Sequence, residues 1–310
     1  MNIETLKPGK NVVHFKSEGY QLAGDLYLPE GFDPNRTYPT ALHFKVGSQV
    51  KEQVGAVYGN KMSARGYVYF AFDVRGFGES EGKIRHHEYA HFTFPAYHDA
   101  ISFLCTLPFV DKDKLTGIGV CAGAAYVSYT AMVDKRLKAI ATVSGFMNHT
   151  QYFFGMMSRD VALQALTYIN SEQQRYFETG EYGQADVLGQ VPRPPAEDAP
   201  SFVKGSYDYY LTNRGGIGNY TNMLATMSFT VDPALNVKTI AEYLYTPILC
   251  IAGDQADTKY MTDEVFEAAS EPKEYFLVEE ASHFDLYDID KYVDQAIESI
   301  DRFFKKHTAE

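Results

Sequence analysis

The stretch GIGVCAGAAY, residues 117–126, sets one cysteine among glycines and alanines at the end of an apolar run. Its pattern predicts a strand ending at Val120, a sharp turn at Cys121 and a helix from Ala122 onward. Gly119 and Gly123 flank the cysteine as G-x-C-x-G. A tight strand-to-helix turn lifts its central side chain clear of the backbone, and side chains at the flanking glycine positions would collide with their neighbours. Ala124 and Ala125 let the helix pack close to a sheet. A helix N-terminus also favours the thiolate over the thiol. The plain alternative is a packing cysteine, since free cysteine is among the most buried residue types.

Outward from this turn, apolar runs alternate with helical stretches. The runs are TALHFKV (40–46), YVYFAFDV (67–74), KLTGIGV (114–120), LKAIATVSG (137–145), TPILCIAG (246–253) and EYFLVEE (274–280). Residues 52–65, 97–107, 122–133, 262–270 and 294–307 have helical length and spacing. Two alternating segments, Asn11–Ser17 and Tyr20–Leu28, precede them and read as an antiparallel pair at a sheet edge. Such βα alternation predicts an α/β fold, a mostly parallel central sheet with helices on both faces. Ligand sites in these sheets lie at the carboxyl ends of the strands. Candidate chemistry therefore belongs just after the apolar runs.

Residues 146–240 break the rhythm. They contain no clear strand run, are rich in Tyr152, Phe153, Phe154, Met156, Met157, Tyr207, Tyr209 and Tyr210, and hold the proline-bearing stretch GQVPRPPAEDAP (189–200). An insertion of this size between two strands is usually functional. It reads as a helical cap, or lid, on a core domain formed by 1–145 and 241–310.

A nucleophile at 121 needs a base and an orienting acid. His283, in EEASHFDLYD, follows the last predicted strand and so shares the sheet edge with Cys121. The cluster His86-His87-His91 reads instead as a solvated loop or helix start, and His43 as a packed strand residue. IAGDQADTKY offers Asp254 and Asp257 for the acid. A loop carboxylate reaching across to a histidine needs a few residues beyond the strand, which favours Asp257. Acyl transfer also needs donors for a developing oxyanion. The backbone N–H groups of Ala122 and Gly47 are the candidates, although Gly47 also reads as a simple turn glycine.

With these residues in place the chain resembles the α/β-hydrolase superfamily, and within it the dienelactone-hydrolase-like and X-prolyl-peptidase-like group. The resemblance rests on VGSQVKEQ (46–53), FDVRGFGESEG (72–82), GIGVCAGAA (117–125), IAGDQADTKY (251–260) and EEASHFDLYD (279–288). It implies the chain order nucleophile, acid, histidine, here Cys121, Asp257, His283. Two positions depart from it. Lys45-Val46 stands where many members have His-Gly or His-Pro, and cysteine stands where most have serine. Cysteine there is similar to dienelactone hydrolases and to acyl-transferring relatives such as fungal polyketide transferases.

The resemblance implies a hydrolase of an ester, lactone or thioester working through an acyl-Cys intermediate. Alternatives are an acyltransferase or cyclase sharing that intermediate, and a non-catalytic binding protein. The aromatic insertion points to a small apolar or aromatic acyl substrate. No metal and no cofactor is expected. A net charge of −12 with no long basic run speaks against nucleic acid. No segment approaches the ~18 consecutive apolar residues of a membrane span. Three cysteines without metal-ligand spacing, and an N-terminus unlike a signal peptide, point to the cytoplasm. The sequence leaves a homo-oligomer open.

Overall fold

The computed structural model describes residues 3–155, 157–187, 193–229 and 235–308, with Phe153 and Phe229 described by backbone alone. Met156 and part of the proline-bearing stretch lie outside the described residues. The chain opens with the antiparallel hairpin β1 (Gly9–Ser17) and β2 (Tyr20–Leu28). Its two turn residues, Glu18 and Gly19, have φ of 47° and 84°. That is the conformation a two-residue hairpin turn demands for its strands to twist correctly.

The βα units follow as β3 (Tyr38–Phe44), α1 (Val54–Ser63), β4 (Val68–Phe72), α2 (Ala90–Thr106), β5 (Val110–Val120), α3 (Ala122–Val133) and β6 (Ala139–Val143). Between β6 and the next sheet strand the chain passes through α4 (His149–Gly155), α5 (Arg159–Thr179), β7 (Gln184–Asp186), α6 (Ser201–Tyr210) and β8 (Met223–Ala225). It closes with β9 (Ile248–Gly253), α7 (Lys259–Ala268), β10 (Lys273–Val278), α8 (Asp285–Asp288) and α9 (Asp290–Thr308). The eight-stranded sheet runs β1-β2-β4-β3-β5-β6-β9-β10, and every pairing from β4 to β10 is parallel.

β4 lies on one side of β3 and β5 on the other. Strand order therefore reverses at β3, and the crevice at the carboxyl ends of β3 and β5 is where such a sheet takes its ligand. Alternation along the strands divides the core between two faces. Leu42, Phe44, Phe70 and Phe72 pack with α2, α3 and α7, whereas Ala41, Tyr69, Ile118 and Val120 pack with α1 and α9. α9 buries Val293, Ile297, Ile300, Phe303 and Phe304 on one face.

Two elements differ from the sequence reading. α2 begins at Ala90, seven residues before the expected start, and carries Pro95 inside it. The proline masked that start because proline normally ends or opens a helix. The insertion, expected to lack strands, contains the short antiparallel pair β7 and β8. Three residues each are too few to register as an alternating run.

The turn at 121 is sterically as expected. A Cβ on Gly119 would lie 2.2 Å from the Gly123 carbonyl oxygen, and one on Gly123 would lie 2.0 Å from that of Phe44. Both contacts are with backbone, which cannot rotate away. At Gly47 the nearest atom to an added Cβ is Ala122 Cβ, at 3.7 Å, an ordinary contact. Gly123→Ala is therefore expected to lose about 1–3 kcal/mol of unfolding free energy, read from urea denaturation, while Gly47→Ala stays within about 0.5 kcal/mol of the parent. Equal stability of the two variants would contradict this packing.

Candidate active site

Cys121 has φ 55° and ψ −118°, a conformation that L residues avoid. The turn is held from β6, since Cys121 N–H donates to Val143 O at 3.0 Å and Phe146 N–H donates back to Cys121 O at 2.9 Å. Ser48, His86, Ser144 and Glu280 also have positive φ. Cys121, Ser48, Ser144 and Glu280 lie just past the carboxyl ends of parallel strands, whereas His86 lies shortly before α2. Backbone strain is thus concentrated along the edge where the site was expected.

The Cys121 sulfur meets the Tyr287 hydroxyl and two donors, the backbone N–H groups of Ala122 and Gly47. The two amides named from sequence therefore converge on one atom. Burial pushes the thiol up to about 11, and those three hydrogen bonds pull only partly against it. The thiolate expected from the helix N-terminus is not the resting form, because desolvation outweighs the dipole.

His283 lies after β10 with 2% of its surface exposed. The rings of Phe202, Phe284 and Tyr287 surround it at centroid distances of 5.2, 4.9 and 5.5 Å. Its Nε2 is 3.0 Å from the Tyr287 hydroxyl, and its Nδ1 is 2.5 Å from Thr258 Oγ1. Burial drives the imidazole down to about 3, so it is neutral at rest.

The expected pairing of Asp257 with His283 is not formed. Asp257 is exposed, and its two carboxylate oxygens lie 2.8 and 2.7 Å from Ser201 Oγ. Asp254 does not hold the histidine either, and its Oδ1 is buried without a hydrogen-bond partner. The reason is the shape of the loop. Gln255 N–H bonds Ala281 O and Ala256 N–H bonds Gly253 O, a tight turn that sends residue 257 to solvent and residue 258 inward. Thr258 was therefore missed by one position. Tyr287 was missed as well; its place four residues after His283 at the start of a helical segment is the signal that could have found it.

The loop carrying Gly47 is fixed on both sides. Lys45 Nζ reaches the Glu88 carboxylate at 2.8 and 3.1 Å and sits 4.3 Å from the Phe77 ring centroid. Ser48 N–H donates to the same carboxylate at 3.0 Å and the Tyr126 hydroxyl at 3.2 Å. Burial would raise the Glu88 carboxyl, but Lys45 and these donors hold it below its ordinary value. Farther along, Lys51 Nζ lies 2.6, 3.1 and 2.6 Å from Glu52, Asp73 and Glu79. Those three acids have metal-ligating spacing among the described residues, and the ammonium occupies their centre. The insertion anchors the other wall. Arg214 donates to Phe284 O at 2.8 Å and pairs with Asp288 at 2.7 Å, and Gln53 Nε2 donates to Gly215 O at 2.6 Å.

His43 is buried with Nδ1 2.7 Å from the Tyr69 hydroxyl. His91 is exposed in the first turn of α2, while His86 and His87, expected to be solvated, are half-buried.

The chain belongs to the alpha/beta hydrolase family, whose sequence profile matches residues 53–295. It is an enzyme of that family. It is 32% identical over 282 residues to the uncharacterised protein PA2218 of Pseudomonas aeruginosa, spanning 87% of this chain and 73% of that protein. The crystal structure of PA2218 superposes with a TM-score of 0.84, at 28% identity, over 98% of this chain and 95% of that one. Two fungal relatives carry activities in their names. The polyketide transferase claH of Penicillium crustosum is 27% identical over 295 residues, covering 90% of this chain and 92% of that protein. A thiohydrolase of Eupenicillium brefeldianum is 24% identical over 286 residues, covering 91% and 89%. Among the described residues no helix is long and apolar enough to cross a membrane.

With thiol and imidazole both neutral, iodoacetamide should alkylate Cys121 in the free protein about tenfold faster per pH unit between about pH 7 and pH 10, because the thiolate is the reactive form. Peptide mapping of labelled protein measures this. A rate already flat near pH 7 would mean a preformed thiolate–imidazolium pair.

Proposed function

We propose that the protein hydrolyses an ester, lactone or thioester through an acyl-Cys121 intermediate, with His283 as general base. The observation that carries this reading is the meeting of the Gly47 and Ala122 amides at a cysteine sulfur held on a strained strand-to-helix turn. A sulfur with that placement attacks a carbonyl whose oxygen then takes up the two amides, which stabilise the charge that develops on it. His283 accepts the thiol proton, returns it to the leaving group, and then activates water to release the acid. In this reading Thr258, and not Asp257, orients the imidazole at Nδ1.

The acyl group is apolar or aromatic. Tyr152, Tyr210 and Tyr287 stand within electrostatic reach of the sulfur, and Phe202 from α6 covers His283. Residues 146–240 then act as the cap that shapes the acyl pocket. A second reading, transfer of the acyl group to another acceptor, is favoured by the polyketide transferase among the relatives. The three unpaired cysteines support a reducing compartment, which we take to be the cytoplasm.

The test is turnover on a panel of p-nitrophenyl esters and acyl thioesters, with and without added alcohol or amine. Cys121→Ala should lose at least about 10³-fold, whereas Asp257→Ala should stay within about threefold. Free acid as the sole product assigns hydrolysis, and an acceptor-derived ester or amide assigns transfer. Undiminished turnover by Cys121→Ala would overturn both.

A further inference from the structure

His283 and Cys121 are joined through a third side chain. The Tyr287 hydroxyl hydrogen-bonds the Cys121 sulfur and lies 3.0 Å from His283 Nε2, so one oxygen serves both groups. Tyr287 is fully buried, and its ring packs edge-on against Tyr209 at 4.9 Å and Phe284 at 5.2 Å. The short α8 that carries it is tied to the core by the Tyr58 hydroxyl, which donates to Leu286 O at 2.8 Å. Arg214 grips the same segment from the insertion. A hydroxyl fixed this firmly has little room to swing aside.

Resting on the reading of Cys121 as nucleophile, we propose that Tyr287 is a catalytic residue that relays the proton between Cys121 and His283. In the attack step the S–H bond breaks as its proton passes to the Tyr287 oxygen. The phenolic O–H breaks as its own proton passes to Nε2, and the sulfur electron pair forms the bond to the carbonyl carbon. Tyr287 ends neutral, the imidazole has gained one proton, and the carbonyl oxygen carries the negative charge between the Gly47 and Ala122 amides. Nδ1–H donates to Thr258 Oγ1 throughout, which holds Nε2 as the acceptor. On collapse of the tetrahedral intermediate, Nε2–H gives its proton to the Tyr287 oxygen while the phenolic proton passes to the leaving-group heteroatom, whose bond to the carbonyl carbon breaks. The imidazole returns to neutral and the sulfur stays bonded to the acyl carbon.

The alternative for the same hydroxyl is a third oxyanion donor, and a double-mutant cycle separates the two. Burst acylation by p-nitrophenyl butyrate is followed in the parent, Tyr287→Phe, His283→Ala and the double variant. A relay predicts that each single change slows acylation about 10²-fold with KM little altered, and that the second change adds nothing to the first. A full, multiplicative loss on adding Tyr287→Phe to His283→Ala would assign the oxyanion role and overturn the relay. So would parent-like acylation by Tyr287→Phe.

A measurement on the unaltered protein covers the case of a variant that does not fold. The acylation rate across mixtures of light and heavy water should curve, as two moving protons require, and a straight line would overturn the relay. Cys121→Ala keeps the two proposals apart. If it retains full acylation, the nucleophile assignment has failed. If it is inactive while Tyr287→Phe acylates at the parent rate, only the relay has.

Discussion

The contact between the first turn of α3 and the end of β3 is the constraint on which the site depends. Gly123 lies so near the Phe44 and Lys45 carbonyls that no side chain fits there, and Gly119 faces Gly123 in the same way. This approach draws the helix onto the sheet and forces Cys121 into its positive-φ turn, a strain of about 1–3 kcal/mol that the surrounding packing offsets. It also points the Ala122 amide along the sheet edge and brings the loop after β3 beside it, so that Gly47 joins Ala122 at the sulfur. The strained turn at Cys121 and the meeting of the two amides at its sulfur are thus consequences of one packing contact.

Charge is distributed around this turn in a pattern. The loop after β3 begins at Lys45 and ends at Lys51, both buried, and each is neutralised by nearby acids, which for Lys51 include its neighbour Glu52. Glu88 fastens one end, and Glu52, Asp73 and Glu79 fasten the other. Breaking one buried partner of such a pair leaves an uncompensated charge, which costs far more than the pair contributes. The row Cys121, Tyr287, His283, Thr258 carries no charge at rest. Ion pairs hold the frame, and the groups proposed to react are neutral.

Much of this was legible in the sequence, and the limits have physical causes. Strands and helices with unbroken apolar patterns were readable because burial on one or both sheet faces imposes a fixed period. GIGVCAGAAY was readable because backbone contact leaves glycine as the only solution at two positions. Asp73 and Glu79, in the most recognisable stretch of the chain, gave no hint that they cage Lys51, because the partners meet only through tertiary structure. The choice of Asp257 over Asp254 rested on distance along the loop, whereas the side chain that meets His283 is Thr258, one residue on, which in a tight loop is the difference between solvent and core. The insertion was readable as an interruption and as aromatic. Its use of Phe202 and Arg214 to build the wall around His283 required the fold.

The central claim is that Cys121 carries the acyl group, and the most direct measurement is the intact mass of the protein quenched in acid milliseconds after mixing with an acyl thioester. The account predicts a transient gain equal to one acyl group, mapped by digestion to the peptide holding Cys121 and absent from Cys121→Ala. Turnover with no such gain, or with the acyl group on Cys105 or Cys250, would contradict it.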